Sequence, residues 1–260
     1  MYFLYSAALM LAFVIATPFW LFKMLRHGKY RAGLSERLGR VPERVRSAQP
    51  GDVCIWIHAV SVGEVLAISQ VVSELRDKKD ARRVVVSTTT TTGQKLAQER
   101  FGAENVFYFP LDFGFCVRPY MRALQPKLVV MAETEFWPNF LRIAKRCGAH
   151  VAVVNARVSD RSLPGYRRWK RILSRVLRNV DIFLAQSEED KRRLVEVGAP
   201  EGRVQVSERR IQELLRGFGR ANAAQEQNLR QRCGDACGGS ELSGGPGFRV
   251  NFRTNVPAHG

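Results

Sequence analysis

Short apolar runs alternate with amphipathic stretches along most of the chain. Residues 53–58 (VCIWIH), 83–87, 106–109, 128–132, 151–155 and 182–186 are rich in β-branched and aromatic side chains and read as strands. Their apolar positions are continuous rather than alternating, as in strands covered on both faces. Between them, residues 64–76, 92–100, 117–124, 138–146, 166–178 and 188–197 read as helices. This alternation predicts right-handed crossovers and an α/β fold built on a doubly wound parallel sheet. Ligands of such sheets sit beyond the carboxyl ends of the strands.

The two ends of the chain depart from this pattern. Residues 1–22 carry no ionised side chain, and the first charge is Lys23. About 20 apolar residues suffice to cross a hydrocarbon core. Lys23, Arg26, Lys29 and Arg31 follow the run, and bulky Phe19, Trp20 and Phe22 stand where a signal-peptide cleavage site would be. With Tyr2, Tyr5 and Trp20 near its ends, the segment reads as a membrane-anchor helix over 1–22, spanning or deeply interfacial. The positive-inside rule places the remainder on the cytoplasmic side. Pro18, Ser6 and Thr17 leave a buried N-terminal helix open. A basic juxtamembrane segment over 23–50 would lie against anionic headgroups, and the α/β domain occupies 51–207. In residues 208–260 glycines cluster, lysine is absent and no further series of strands follows, so this part reads as an irregular, disordered tail.

Composition narrows the partners. With 260 residues and 45% hydrophobic side chains the chain can bury a core without disulfides. Its five cysteines are an odd number, Cys54, Cys116 and Cys147 are scattered, and a reducing compartment is favoured. Cys233 and Cys237 have no second pair and make no metal site. Against 24 acidic residues stand 41 lysines and arginines, a formal charge of +17. That excess points to an anionic partner: nucleic acid, a lipid headgroup or a sugar phosphate.

Three strand ends carry candidate chemistry. After the first strand, His58-Ala59-Val60-Ser61-Val62-Gly63-Glu64 leads into a helix. Gly63 permits close backbone approach, and Glu64 falls in the first helical turn, where free N–H groups favour a carboxylate. Glu64 is either a helix cap or an ionised general base facing the crevice. The motif lacks the glycine pattern of a dinucleotide site. After the fourth strand comes Glu133-Thr134-Glu135-Phe136-Trp137-Pro138. Either Thr134 or Glu135 caps the next helix, which Pro138 would start, or the two carboxylates bind a sugar hydroxyl or stabilise developing positive charge. After the fifth strand, Asn155 to Ser162 includes Arg157 and leads into a basic stretch with Tyr166 and Trp169. It reads as a phosphate-binding face, a solvated helix or a nucleic-acid surface; beside a membrane anchor, anionic lipid rather than nucleic acid is the favoured partner. The threonines of Ser87–Gly93 suit β-structure and helix capping. His27, His58 and His150 are isolated and read as structural.

HAVSVGE, STTTTTG, PKLVVMAETEFWPN, NARVSDRS and AQSEED, in this order behind an apolar N-terminus, give a chain that resembles the 3-deoxy-D-manno-octulosonic acid (Kdo) transferases over about residues 1–207. The resemblance implies the Rossmann-like N-terminal, acceptor-binding half of a two-domain GT-B glycosyltransferase of the bacterial inner membrane. It implies transfer of Kdo from CMP-Kdo to the lipid A precursor (lipid IVA) in lipopolysaccharide biosynthesis, without cofactor or metal. It makes Glu64 the proton acceptor, Glu133 the transition-state stabiliser and Glu135 its support, with Ser61, Gly63 and Arg157 on the substrate. Family members continue into a second domain that binds CMP. From Ser207 this sequence follows another course, the expectation for a truncated or frame-shifted C-terminus. The alternative is an inactive membrane-bound fragment that holds the anionic lipid acceptor.

Overall fold

The structure, a computed structural model, describes residues 2, 5–15, 33–46, 53–76 and 82–206, all within one compact unit. The tail over 208–260, Cys233, Cys237, His27 and much of the 1–22 and 23–50 segments lie outside the described residues.

After α1 (residues 5–15) and α2 (Leu34–Arg37), strand and helix alternate in the order β1 (Val53–His58), α3 (Val62–Arg76), β2 (Arg82–Thr88), α4 (Thr91–Phe101), β3 (Val106–Tyr108), α5 (Gly114–Leu124), β4 (Leu128–Met131), α6 (Pro138–Arg146) and β5 (His150–Ala156). Then come α7 (Leu163–Arg168), α8 (Lys170–Leu177), β6 (Ile182–Ala185), α9 (Glu188–Glu196) and β7 (Val204–Val206). The seven strands form one sheet in the order β3-β2-β1-β4-β5-β6-β7, every neighbouring pair parallel. The chain winds outward from β1 to β3, returns through α5 to β4 on the other side of β1, and winds outward again to β7. Right-handed crossovers then put α3 and α4 on one face and α5 to α9 on the other. The strands are buried almost throughout, which explains the unbroken apolar runs in the sequence.

The larger core lies under α5, α6, α8 and α9. At its centre Trp56 meets Phe140 edge-on at 4.9 Å, Phe107 at 5.3 Å and Tyr120 at 5.9 Å between ring centroids. Its indole N–H donates to Ser87 Oγ (2.7 Å), so the one polar group of that ring is satisfied inside the core. Two predicted boundaries change. Residues 166–178 form two helices, because Trp169 leaves helical backbone (φ −103°, ψ 17°). The three-residue strand β7 was too short to be seen in the sequence.

Helix α1 lies against the body. Tyr5 Oη donates to Asp112 Oδ2 (3.0 Å), Ser6 bonds Asn139, and Phe13 meets Phe113 edge-on at 5.7 Å. Leu11, Val14 and Ile15 are exposed. Among the described residues no helix is long and apolar enough to cross a membrane.

Candidate active site

The winding reverses between β1 and β4, and the carboxyl ends of the strands at such a reversal are where ligands of this sheet class bind. The loop after β1 carries Ser61, Gly63 and Glu64; the loop after β4 carries Glu133 and Glu135. The end of β5, next in the sheet, carries Arg157.

Glu64 folds back on its own loop. Val60 N–H donates to Glu64 Oε2 (2.7 Å) and the Ser61 hydroxyl donates to Oε1 (2.8 Å), while Glu64 N–H reaches Ser61 Oγ at 3.4 Å. This is a capping arrangement with Ser61 as N-cap, and it leaves Glu64 only 8% exposed. Of the two roles read from sequence, the capping one is seen: the carboxylate caps α3 through these bonds and keeps further lone pairs beyond them.

The Glu64 loop is held by the threonine segment. Thr90 main-chain N–H (3.2 Å) and Thr90 Oγ1 (3.1 Å) both donate to the Val60 carbonyl. Close backbone approach is needed at Gly93 rather than Gly63. A Cβ on Gly93 would come within 2.8 Å of Thr90 Oγ1 and 3.3 Å of Val60 O, whereas one on Gly63 would meet nothing nearer than Ser61 Oγ at 4.0 Å. The expectation for Gly63 is corrected accordingly: its missing side chain leaves an open, exposed backbone in the first turn of α3.

Opposite, Glu135 N–H donates to Glu133 O (2.8 Å) in a tight turn around Thr134. The Thr134 hydroxyl donates to Arg157 O (2.6 Å) and accepts from Arg157 N–H (2.8 Å). These bonds stitch the end of β4 to the end of β5, beside a register shift and the left-handed Asn155 (φ 57°). Burial, then the charges of Glu64 and Glu135, push the Glu133 carboxyl above the usual glutamate range, and Arg157 pulls the other way. Glu64, Glu135 and Arg157 are therefore each close enough to act on Glu133. Tyr166 reaches in from α7; burial and the Glu135 charge raise its phenol.

Sequence reasoning passed over three residues. Trp137 Nε1–H donates to Glu135 Oε2 (3.0 Å). His58, taken as structural, brings Nε2 to 3.7 Å from the same oxygen. Asp112 accepts from the main-chain N–H groups of Asn139 (3.0 Å) and Phe140 (2.7 Å), capping α6 directly behind the acidic loop. His58 and Asp112 meet partners far along the chain, which no spacing in the sequence links, whereas Trp137 stands two residues from Glu135. Among the described residues no group of three or more His, Cys, Asp or Glu is arranged to hold a metal ion.

Comparison with known proteins bears on the chemistry. Residues 32–209 match the family model of 3-deoxy-D-manno-octulosonic-acid transferase (Kdo transferase). The transferase of that name from Chlamydia pneumoniae is 36% identical over 206 residues, covering 78% of this chain and 46% of the relative. That from Haemophilus influenzae is 29% identical over 207 residues, covering 79% and 48%. The chain thus spans about half the length of the curated relatives it matches. Among solved structures, Anabaena HepE with bound UDP and glucose is similar at a TM-score of 0.46 and 13% identity, over 64% of this chain and 50% of that one. On the family model and these relatives, the chain belongs to the 3-deoxy-D-manno-octulosonic acid transferase family of glycosyltransferases.

Proposed function

We propose that this chain is the acceptor-binding part of an enzyme that transfers Kdo from CMP-Kdo to the lipid A precursor, with Glu64 as general base. The observation that supports this best is the action of the Glu64 charge on Glu133 at the carboxyl ends of β1 and β4, in a chain of this family. As the acceptor hydroxyl oxygen attacks the anomeric carbon of Kdo, Glu64 takes its proton. The bond between that carbon and the CMP phosphate oxygen breaks, and CMP leaves. The transition state has oxocarbenium character, so the neighbouring carboxylates Glu133 and Glu135 would stabilise it. Arg157 and the open backbone at Gly63 would face the anionic acceptor, with Ser61 orienting the base. Releasing the Ser61–Glu64 contact would free an oxygen for the proton, a tightening and loosening common between empty and loaded sites.

We further propose that the chain works at the cytoplasmic face of a bacterial inner membrane. The exposed apolar side chains of α1 and the +17 charge support attraction to an anionic bilayer. The test is incubation of the purified chain with CMP-Kdo and lipid A precursor in anionic vesicles. Transfer that disappears in Glu64→Ala supports the reading. Acceptor binding without transfer supports instead a chain that holds the lipid acceptor without transferring sugar.

A further inference from the structure

His58 is the last residue of β1 and is 1% exposed. Its ring stacks on Phe109, with centroids 3.9 Å apart and planes 25° from parallel, so packing fixes the ring plane. On one side, Nδ1 lies 3.0 Å from Ser87 Oγ and 3.1 Å from the Ser87 carbonyl oxygen. On the other, Nε2 has no hydrogen-bond partner although it is buried. Near it is the Glu135 carboxyl, whose Oε2 is 3.7 Å away and already accepts from the Trp137 indole.

The bonding of Ser87 indicates where the proton sits. Ser87 Oγ accepts from Trp56 Nε1–H, so its own hydroxyl proton is free to donate, and His58 Nδ1 is within reach. A neutral ring that accepts there carries its proton on Nε2. A charged ring carries one on each nitrogen, with Nδ1–H donating to the Ser87 carbonyl, and again presents Nε2–H. Only the neutral ring protonated at Nδ1 would leave a bare nitrogen facing a carboxylate oxygen, an arrangement that satisfies neither group.

We propose that His58 is a positioning residue, its Nε2–H holding the Glu135 carboxylate at the switch point, directly or through one water. The separation of 3.7 Å exceeds a hydrogen bond, and a small rotation of the Glu135 side chain, which is one-third exposed, closes it. Between the indole of Trp137 and the imidazole of His58, Glu135 Oε2 is held from two sides. Glu135 is one of the charges acting on Glu133, so the buried chain Trp56–Ser87–His58 sets the geometry of the acidic pair. The catalytic consequence of this placement rests on the transferase reading; the placement does not.

Long-range proton–nitrogen correlation on the full chain labelled with ¹⁵N-histidine tests it. A protonated His58 Nε2 whose resonance moves in Glu135→Gln and Glu135→Ala is expected. A bare Nε2, or one indifferent to both substitutions, overturns the proposal. Two further variants separate the two sides of the ring. Glutamine at 58 retains a donor near the Nε2 position, whereas asparagine retains only the link to Ser87. Once transfer is measurable, His58→Asn is expected to lower kcat about tenfold with KM for the acceptor within about twofold, and His58→Gln to recover part of the loss. Equal losses overturn the positioning role. A wild-type chain without transfer counts against the transferase reading, and the nitrogen resonances still decide the placement of His58.

Discussion

Substitutions at Glu64 should separate its capping role from its proposed chemical one. Glu64→Ala removes two acceptors, those of Val60 N–H at 2.7 Å and Ser61 O–H at 2.8 Å. Hydrogen bonds to charged groups contribute roughly 1.5–3 kcal/mol each, while lost helix caps typically cost ~1 kcal/mol. Two effects pull the sum down: the freed donors regain water at a partly open loop, and relief of the like charge on Glu133 gives some stability back. A net loss of about 2 kcal/mol follows, or a fall in Tm of about 4–8 °C at roughly 2–4 °C per kcal/mol for a domain of this size. Glu64→Gln keeps one oxygen acceptor for Val60 N–H, and Ser61 can turn to accept from the new amide, so its loss should stay below about 1 kcal/mol. Both variants lose the base, and removal of a general base commonly slows a reaction about 10²–10⁴-fold. Urea titration followed by far-UV circular dichroism gives the stabilities, and Kdo transfer to the lipid A precursor gives the activity. Equal destabilisation by glutamine and alanine would refute the capping geometry. Transfer by Glu64→Gln within tenfold of wild type would refute the assignment of the base.

Phe140, fully buried against Trp56 and Phe109, should cost about 3–5 kcal/mol on change to alanine, read as a lower urea midpoint. Gly93→Ala forces a Cβ to 2.8 Å from Thr90 Oγ1 and 3.3 Å from Val60 O and should destabilise by about 1–3 kcal/mol; Gly63→Ala meets open space and should gain up to ~1 kcal/mol from helix propensity. The same urea titrations compare the two, and the reverse order would contradict the loop packing described here. Asp112, raised by burial from 3.8 to about 6, binds its proton more tightly when folded. Its contribution is therefore fully present below the unfolded pKa and is lost as pH rises through about 6. Stability of the wild type should decline across that window relative to Asp112→Asn, in which this slope is absent; parallel curves for the two proteins would contradict it.

The sheet was legible because its strands are covered on both faces and therefore read as unbroken apolar runs; the limits of β1 and α6 agree residue for residue with the pattern. The short β7 and α2 offered too few residues for a period to show. The break at Trp169 was hidden because basic and apolar positions continue through it at helical spacing. Within the site, Glu64, Glu133, Glu135 and Arg157 could be picked out because each follows a strand end, and the strand order then brings those ends together. What stayed hidden was pairwise and distant. His58 meets Glu135 across two strands, Asp112 caps a helix that begins 26 residues later, and Gly93 rather than Gly63 makes room for the backbone. Such relations depend on strand register and helix placement, which local composition does not encode.

That the Glu64 charge acts on Glu133 where the sheet reverses can be measured without any substrate. Carbon-13 carboxyl resonances of the chain, followed through a pH titration in the wild type and in Glu64→Gln, report the Glu133 pKa. Glu133 is expected to titrate above the usual glutamate range and to move down when the Glu64 charge is removed. A Glu133 titration that is ordinary in the wild type, or identical in the two proteins, would contradict it.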